Sequence, residues 1–399
     1  MNILFLSLIR VNSIEEHNIY TDLLRVFVQN GHFVRIVSPV AGEASRNIRG
    51  NGYAILQVET PQIQKTNLIR KGLATLQIGP RVKAALQTYC AGERYDLILM
   101  ATPPVTLAGV VQYVKRRDDA RVYLLLKDIW PQGIADLGAI SSGGLIYRYF
   151  RAREKKLYAI SDRIGCMSQA NVDYLLRQDP ELNPARVEIC PNSVEPVDTS
   201  VAPERRAALR EKYGVPRDRT VFVYGGNLGR PQGIPFLIDC LRANQGREDR
   251  FFVICGTGTE YARLKAYIDA EKPANVLLIN GLPKEEYEDF VAACDVGMIF
   301  LDYRFTIPNF PSRLLSYMQA GLPVLCCTDP NTDVGTVAER GGFGWRCLSN
   351  DVSAFCQTAD LACRADLPAM GAKGKQYLAE HYTVRQAYET ILRMANDQN

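Results

Sequence analysis

The hydrophobic pattern of the chain alternates between two periods. Short runs rich in Val, Ile, Leu and Phe, such as "NILFLSL" and "RVYLLLKD", have the length of one β-strand. Between them lie longer segments, such as "YTDLLRVFVQNG", whose apolar residues recur every three or four positions, as in an amphipathic helix. Repeated strand–helix units predict α/β folding, with parallel sheets covered by helices.

This alternation stops once, near the middle of the chain. The segment "CPNSVEPVDTSVAPERRAAL" is rich in Pro, Ser and acidic residues, and we predict a linker there at about 192–215. Six strand candidates follow it: "TVFVYGG", "FFVICGTG", "NVLLING", "VGMIFLD", "LPVLCC" and "GFGWRCL". Because 399 residues are too many for one ordinary core, we predict two doubly wound, Rossmann-like domains facing a cleft, 1–197 and 198–379.

The composition is that of a globular protein, with 47% hydrophobic and 23% charged residues. The opening "MNILFLSLIRV" lacks a basic segment and a cleavage site, so it predicts a first strand rather than a signal peptide.

Eleven cysteines without a C-x-x-C pair indicate buried, reduced thiols in a cytosolic protein. Three scattered histidines and no D-x-D motif predict no metal site. Since aromatic and basic residues do not interleave, nucleic acid is not an expected partner.

The net charge of +4 is unevenly distributed. Residues 1–200 contain 24 Lys and Arg against 19 Asp and Glu. A basic first half favours an anionic partner on that side of the protein, although a solvated basic face gives the same count.

A glycine-rich turn, "GGNLGRPQG", follows the first strand of the second half. Free backbone amides at Gly225, Gly226 and Asn227, next to a helix start, can hold a phosphate group, and Arg230 adds a cation. A tight turn between a strand and a helix also uses glycines, so the motif has a purely structural interpretation.

The stretch "RFTIPNFPSRLLSYMQAG" is a second candidate for anion binding. We expect Asn309 or Phe310 to cap a helix that ends at Gly321. Arg304 and Arg313 would then flank the helix start, with Ser316 on the polar face of the helix and Leu314, Leu315 and Met318 on the opposite face. An ordinary capped helix with solvated arginines is the alternative.

Two stretches of the first half are candidates for acceptor contact. Asp128 comes at the end of the strand "RVYLLL", where a carboxylate can accept a hydrogen bond from a sugar hydroxyl or simply cap the turn before Pro131. The loop after the first strand offers acceptor-side candidates, or is only a solvated loop; its residues are Asn12, Glu15, Glu16 and His17.

Taken together, these motifs resemble bacterial family 4 glycosyltransferases, which have the GT-B fold, and within them the branch that builds surface polysaccharides such as O-antigen and capsule, with fucosamine-transferase-like members. Eight segments carry the resemblance in order: "NGHFVRIVSP", "KDIWPQGIADLG", "SDRIGCMS", "ICPNSVEP", "GGNLGRPQG", "NGLPKEEYEDFVAACDVGMIFLD", "PSRLLSYMQAGLPVL" and "ERGGFGW".

The resemblance implies retaining transfer of a hexosyl or N-acetylhexosaminyl group from a nucleotide-sugar donor, UDP-linked, without a cofactor or an obligatory metal. The base would rest near Gly281 and Leu282, and the diphosphate against Gly226–Asn227 and the 309–313 helix start. The last helix, 380–399, would return to the first domain. The acceptor would be a glycan or a polyprenyl-diphosphate-sugar at the inner face of the cell membrane, with the protein cytoplasmic and peripheral.

The sequence departs from the family at four positions. Two glutamates that usually contact the donor are replaced by Pro308 and Ser316, and a basic pair in the glycine turn is replaced by Asn227 and Gln232. Donor binding would then rely on other groups, such as the arginines already named and Asp333. The same departure keeps open a non-catalytic sugar-nucleotide-binding subunit, while a GT-B nucleotide-sugar epimerase is a further alternative.

Two basic amphipathic segments of the first half predict contact with an anionic membrane surface, namely residues 65–86 and 145–156. The alternative is that both are ordinary helices packed on the core with solvated cations.

Overall fold

The computed structural model describes residues 1–61 and 68–396, and for 68–74 and 396 it describes the main chain only. The chain divides into two compact units. The first unit is Met1–Glu195 together with the C-terminal segment from Thr383, and the second is Pro196–Tyr382.

The first unit is built on a sheet of eight strands in the described part of the chain, in the order β3-β4-β2-β1-β5-β6-β7-β8. Its strands are β1 Asn2–Leu6, β2 Phe33–Ala41, β3 Arg46–Arg49, β4 Tyr53–Thr60, β5 Leu97–Ala101, β6 Arg121–Leu126, β7 Arg163–Cys166 and β8 Val187–Ile189. Its helices before the chain passes to the second unit are α1 Thr21–Gln29, α2 Leu68–Tyr89, α3 Ala108–Asp118, α4 Gln132–Asp136, α5 Leu145–Ile160 and α6 Gln169–Gln178.

The second unit has a sheet of six parallel strands among the described residues, in the order β11-β10-β9-β12-β13-β14. Its strands are β9 Thr220–Asn227, β10 Arg250–Thr257, β11 Val276–Ile279, β12 Val296–Phe300, β13 Val324–Thr328 and β14 Gly344–Leu348. Its helices are α7 Pro203–Lys212, α8 Ile234–Ala243, α9 Tyr261–Glu271, α10 Lys284–Ala292, α11 Arg313–Gln319, α12 Val334–Arg340, α13 Val352–Ala362 and α14 Leu367–His381.

The last helix, α15 Val384–Asn396, packs in the first unit and not in the second. Its buried residues recur on one helical face and join the core around β1 and α1; they are Val384, Ala387, Ile391 and Met394. At the start of this helix the Val384 N–H donates to the Val194 carbonyl (3.1 Å), just before the point where the chain leaves the first unit at Glu195. The predicted return of the last helix to the first domain is confirmed.

The six strands predicted for the second half are all present, and the two parallel-sheet α/β domains confirm the predicted fold class. Three details differ. The predicted linker is wrong over its second half, because the residues from Pro203 form α7. Arg206 and Arg210 of this helix form ion pairs with Asp295, and these pairs hold α7 against the second unit. Strand β3 was not predicted and runs antiparallel to β4. Strands β4 and β8 were also missed.

All eleven cysteines lie in the described part of the chain, and none forms a disulfide. Nine of them are buried, and Cys356 and Cys363 are half-buried. The prediction of buried thiols is confirmed for those nine.

Candidate donor and acceptor sites

The predicted donor residues lie on one edge of the second sheet. Parallel strands end at a common edge, which is where α/β proteins bind ligands. In this sheet Gly226 on β9 is in register with Gly256 on β10, and Cys255 with Ile279 at the end of β11. Gly281 and Leu282 follow β11, and the 302–313 segment follows β12 on the other side of β9. The strand order therefore brings the separate sequence motifs together.

Glycine is required in the turn after β9, because neighbouring groups occupy the space of a side chain. A Cβ on Gly256 would lie 1.9 Å from the Gly226 carbonyl oxygen, and a Cβ on Gly225 would lie 1.8 Å from the Tyr287 hydroxyl. Gly226 itself has φ +112°, a conformation that other residues rarely adopt. The main chain of this turn therefore carries no side chains at its glycines, and neighbouring groups pack closely against it.

The neutral pair that replaces the family's basic pair holds the turn in shape. Gln232 Oε1 accepts hydrogen bonds from Asn227 Nδ2 (3.0 Å) and from the Gly229 backbone N–H (3.1 Å). The two amide side chains thus bind each other across the turn. Neither of them supplies a positive charge for a diphosphate.

Arg313 is the cation that lies against this turn. Its guanidinium carbon is 4.3 Å from the centre of the Tyr224 ring, and a Cβ on Gly226 would lie 2.4 Å from its Nη2. The side chain is half-buried, and no carboxylate among the described residues lies within ion-pair distance of it. A guanidinium over an aromatic face gains cation–π attraction but keeps its full charge.

Three tyrosines around Arg313 were not identified from the sequence. The Tyr317 hydroxyl accepts from Gly225 N–H (3.3 Å) and lies 3.2 Å from the carbonyl oxygens of Val223 and Met298, to which it can donate. Tyr287 lies over Gly225, and burial raises the pKa of Tyr287 to about 12, so that its hydroxyl stays protonated. Each of these residues is separated from the glycine turn in sequence or lies within an apolar strand, so sequence reasoning missed all three.

The other two predicted arginines lie near carboxylates. Arg304 is exposed and donates to both carboxylate oxygens of Asp302, from Nε (2.9 Å) and Nη2 (2.8 Å). Arg230 is exposed, and its Nε lies 3.9 Å from Glu260 Oε1. Their positive charge is therefore partly neutralised, in contrast to that of Arg313.

The helix after β12 begins later than expected. α11 starts at Arg313 with Ser312 at its N-cap, so Asn309 and Phe310 lie in the preceding loop. The Asn309 carbonyl instead accepts a hydrogen bond from the Thr332 hydroxyl. The predicted faces are confirmed, since Ser316 is exposed while Leu314, Leu315 and Met318 are buried, and Gly321 ends the helix with φ +70°.

The loop after β13 packs beside that segment. Asp329 Oδ1 accepts from the backbone N–H groups of Asn331 (2.8 Å) and Thr332 (3.0 Å), and burial raises the pKa of Asp329 to about 6. Asp333 is the N-cap residue of α12. Gly281, with φ +73°, places its backbone beside Thr257 on the far side of the turn.

In the first unit, Asp128 lies two residues beyond β6. Its backbone N–H lies 3.2 Å from Thr102 Oγ1, and its carbonyl accepts from the same hydroxyl (3.0 Å). The carboxylate reaches solvent, but surrounding protein reduces its hydration and raises the pKa of Asp128 to about 6. Burial raises the pKa of Tyr20, and the nearby charge of Asp128 raises it further.

The predicted acceptor-side loop is folded around one arginine. Arg25 on α1 donates to the carbonyls of Ile14 (2.7 Å) and Glu16 (3.0 Å), and its Nη2 lies 3.0 Å from His17 Nδ1. Asn12 donates from its backbone and its side chain to Glu16 Oε1, at 3.1 Å each. Asn12, Glu15 and His17 are exposed and Glu16 is half-buried, so this loop presents polar groups to solvent.

Across residues 1–61 and 68–396, no three His, Cys, Asp or Glu side chains are grouped so that they could hold a metal ion. Over the same residues no helix combines the length and the apolar character that a membrane span requires.

The comparison with protein families matches both units of the chain. Residues 18–198 match Glycosyltransferase Family 4, and residues 205–362 match Glycosyl transferases group 1. The chain is 24% identical over 331 residues to the "Probable glycosyltransferase WbjE" of Pseudomonas aeruginosa, covering 81% of this chain and 79% of that protein.

Two solved structures with the same fold cover the whole chain. One is Anabaena Alr3699/HepE in complex with UDP and glucose, with a TM-score of 0.72 and 15% identity over 100% of both chains. The other is WaaG, described as a glycosyltransferase involved in lipopolysaccharide biosynthesis, with a TM-score of 0.67 and 14% identity over 100% of both chains. With a Family 4 domain followed by a group 1 domain on two parallel-sheet α/β units, this chain belongs to the GT-B glycosyltransferases of family 4.

Proposed function

We propose that this glycosyltransferase moves a hexosyl or N-acetylhexosaminyl group from a UDP-sugar to a glycan acceptor, with retention of anomeric configuration and without an obligatory metal. The observation that carries the donor half is Arg313, a cation without a carboxylate partner among the described residues, lying against the bare backbone of Gly226. The UDP and glucose complex of HepE, which has the same fold, supports the choice of nucleotide.

The charge that builds up on the leaving diphosphate explains why such a cation matters. As the glycosidic bond breaks, negative charge grows on the diphosphate, and a fixed guanidinium stabilises that charge more in the transition state than in the ground state. We assign the diphosphate to the turn 225–229 and Arg313, and the base to the backbone at Gly281 and Leu282. Ser316 and Asp333, at the same edge of the sheet, are assigned to the sugar and ribose hydroxyls.

Asp128 is the residue that we assign to the acceptor hydroxyl. A carboxylate with a pKa of about 6 is ionised at neutral pH and can still accept a proton during transfer. The polar loop around Asn12, Glu15, Glu16 and His17 is assigned to the remaining acceptor hydroxyls.

We further propose that the acceptor is a lipid-diphosphate-linked sugar used in bacterial surface polysaccharide synthesis. The fold shared with WaaG supports this class of pathway. An enzyme that acts on such a lipid must reach a membrane surface, and the start of α5 is suited to this contact. Leu145, Ile146 and Tyr149 are 82%, 60% and 41% exposed. Arg148 is exposed beside them, and the guanidinium carbon of Arg153 lies 5.2 Å from the Tyr149 ring centre.

The other predicted membrane segment is less suited. On α2, Leu76 is exposed, but Ile78 is buried and Lys83 lies 4.7 Å from the Tyr113 ring centre. Arg81 approaches Glu59 at 3.6 Å. Lys65 lies outside the described residues, as do the side chains of Leu68, Ile69, Arg70, Lys71 and Leu73. We therefore assign membrane contact to α5.

Vesicle co-sedimentation tests the membrane assignment. Binding should need anionic phosphatidylglycerol and weaken with salt, since each cation contributes about 1 kcal/mol near such a surface. A double variant Leu145→Glu, Ile146→Glu should abolish it. Leu361→Glu is the matched control, because Leu361 is an equally unpartnered apolar residue, 59% exposed, on a helix of the second unit. Equal binding of the double variant and the control would refute the assignment.

A substrate screen tests the catalytic proposal. The purified protein is incubated with nucleotide sugars and lipid-diphosphate sugars, and both UDP release and the anomeric configuration of the product are measured. Transfer with retention supports the proposal. Tight UDP-sugar binding without UDP release would instead favour the non-catalytic binding subunit, which the replacement of two family glutamates by Pro308 and Ser316 keeps as the second candidate.

A further inference from the structure

Lys127 is a half-buried lysine at the carboxyl edge of the first sheet, one residue after β6 and directly before Asp128. Its backbone N–H donates to the Leu125 carbonyl (3.0 Å) and also approaches Thr102 Oγ1 (3.0 Å), so the main chain is fixed at this point. The point from which its side chain starts is therefore held by β6 and Thr102.

The ammonium group of Lys127 has only main-chain oxygens as partners among the described residues. Its Nζ donates to the carbonyls of Pro191 (3.2 Å) and Cys190 (3.4 Å), on the segment that follows β8. No carboxylate of the described residues lies within ion-pair distance. Lys115 shows the usual arrangement, since its Nζ donates both to the Ile160 carbonyl (2.9 Å) and to the Asp162 carboxylate (2.7 Å).

Two thiols are among the titratable groups near Lys127. Cys166 and Cys190 are buried, and burial raises the pKa of both, to about 12 for Cys166. Both thiols are thus uncharged at neutral pH. A partly desolvated ammonium without a counter-ion is costly, and burial lowers the pKa of Lys127 accordingly.

The segment that holds the Lys127 ammonium also carries a buried polar atom without a hydrogen-bond partner among the described residues. Asn192 directly follows Pro191 and is 5% exposed, and its Oδ1 is buried without a hydrogen-bond partner in the described part of the protein. Buried polar atoms are nearly always hydrogen-bonded, so an unpaired amide needs a ligand or an ordered water. Since the oxygen and nitrogen of an amide can exchange places, this side chain can also present its NH2 group to an anion.

We propose that Lys127 and Asn192 bind a phosphate-class anion, either a phosphate or a diphosphate group. The proposal rests on the proposed function in one respect, because it assigns this anion to the acceptor that the first unit holds. A lysine ammonium is a compact point charge that suits a phosphate oxygen. Asp128 and Lys127, consecutive in the chain, would then recognise the hydroxyl and the phosphate of one acceptor.

A labelling experiment on the unmodified protein tests this site. The protein is saturated with UDP, so that the donor site is filled, and then treated with an amine-reactive reagent at increasing concentrations of inorganic diphosphate. Mass spectrometry follows the modification of Lys127 and, as an internal reference, of Lys115. Diphosphate should slow the labelling of Lys127 at least several-fold and leave Lys115 unchanged. Unchanged labelling of Lys127 with every anion would overturn the proposal.

Calorimetry with variants gives the second measurement. In the presence of UDP, inorganic diphosphate should bind the wild type and Lys115→Met equally, and its affinity for Lys127→Met should fall at least tenfold. Equal diphosphate affinity of Lys127→Met and Lys115→Met would refute the site and leave Lys127 as a tie between β6 and the main chain after β8. Should Lys127→Met fail to fold, the labelling experiment decides alone.

Two arms distinguish the source of the phosphate. Protection of Lys127 by soluble diphosphate assigns the site to an acceptor-borne group. Protection by phosphatidylglycerol vesicles but not by soluble diphosphate assigns it to a lipid headgroup. Both measurements are made without turnover, so an absence of sugar transfer would contradict the proposed reaction but not this anion site.

Discussion

Replacing Arg313 by methionine should remove most of the transfer activity while the protein stays folded. Methionine keeps much of the aliphatic volume of the side chain against Tyr224 and Gly226 but removes the charge. The lost cation–π contact is worth about 1 kcal/mol, and it is offset in part because a half-buried charge no longer needs to be desolvated. The change in thermal stability should therefore be small.

The effect on catalysis is much larger, because nothing else replaces the charge. A unit charge pair about 4 Å apart is worth about 4 kcal/mol at an effective dielectric constant of about 20. Measured losses for a single group that stabilises transition-state charge are about 2.7–4 kcal/mol. We expect an increase of about 2–4 kcal/mol in the activation free energy, which lowers kcat by roughly 30- to 1,000-fold.

The assay is UDP release at saturating donor and acceptor, with Arg242→Met as the matched control. Arg242 is an exposed arginine of the second unit that pairs with Asp239 and Glu271, so its replacement should leave transfer unchanged. If Arg313→Met retains kcat within threefold of the control, the assignment of the leaving diphosphate to Arg313 is wrong. A fall in melting temperature without a fall in kcat would show that the residue is structural.

Three further predictions concern other parts of the protein. Gly256→Ala should lower the free energy of unfolding by about 1–3 kcal/mol in denaturant titration, because its Cβ would lie 1.9 Å from the Gly226 carbonyl oxygen; an unchanged midpoint would contradict this. Transfer should fall as the pH is lowered from about 7.5 to about 5, because Asp128, with a pKa of about 6, becomes protonated; a flat pH–rate profile would exclude an ionised Asp128. Arg210→Met should destabilise the second unit by about 3 kcal/mol, because it removes a buried partner of Asp295 (2.5 Å); thermal unfolding that matches wild type would refute this.

The sequence was sufficient for most of the architecture of the protein. Strand periodicity predicted all six strands of the second sheet, because each contains a short apolar segment, and in β9 and β12 that segment is almost wholly buried. The alternation of apolar and polar positions also predicted which face of α11 is buried, since that face depends on local spacing alone. Two short edge strands, β3 and β8, were missed because three or four half-exposed residues have no clear periodicity.

The bounds of local elements were less certain where tertiary contacts compete with local signals. Asn309 or Phe310 was expected to cap the helix, yet the helix begins at Arg313, and the Asn309 carbonyl accepts a hydrogen bond from Thr332 of another loop. The predicted linker contains α7 because Arg206 and Arg210 donate hydrogen bonds to Asp295, which lies 85 or more positions away in the sequence. Neither contact is visible from neighbouring residues.

The candidate site shows the same division between sequence and tertiary structure. The sequence determined which residue types could hold a diphosphate, because glycine turns and arginines have recognisable chemistry. Only the tertiary structure decided which arginine lacks a carboxylate partner, since Arg304 pairs with Asp302 and Arg313 instead lies among tyrosines. It also decided that Lys127 lacks a carboxylate partner among the described residues while Lys115 has one. The physical reason is that the strength with which a charged side chain attracts a ligand depends on the groups around it. Those groups come from strands and loops that are distant in sequence and meet only in the folded sheet.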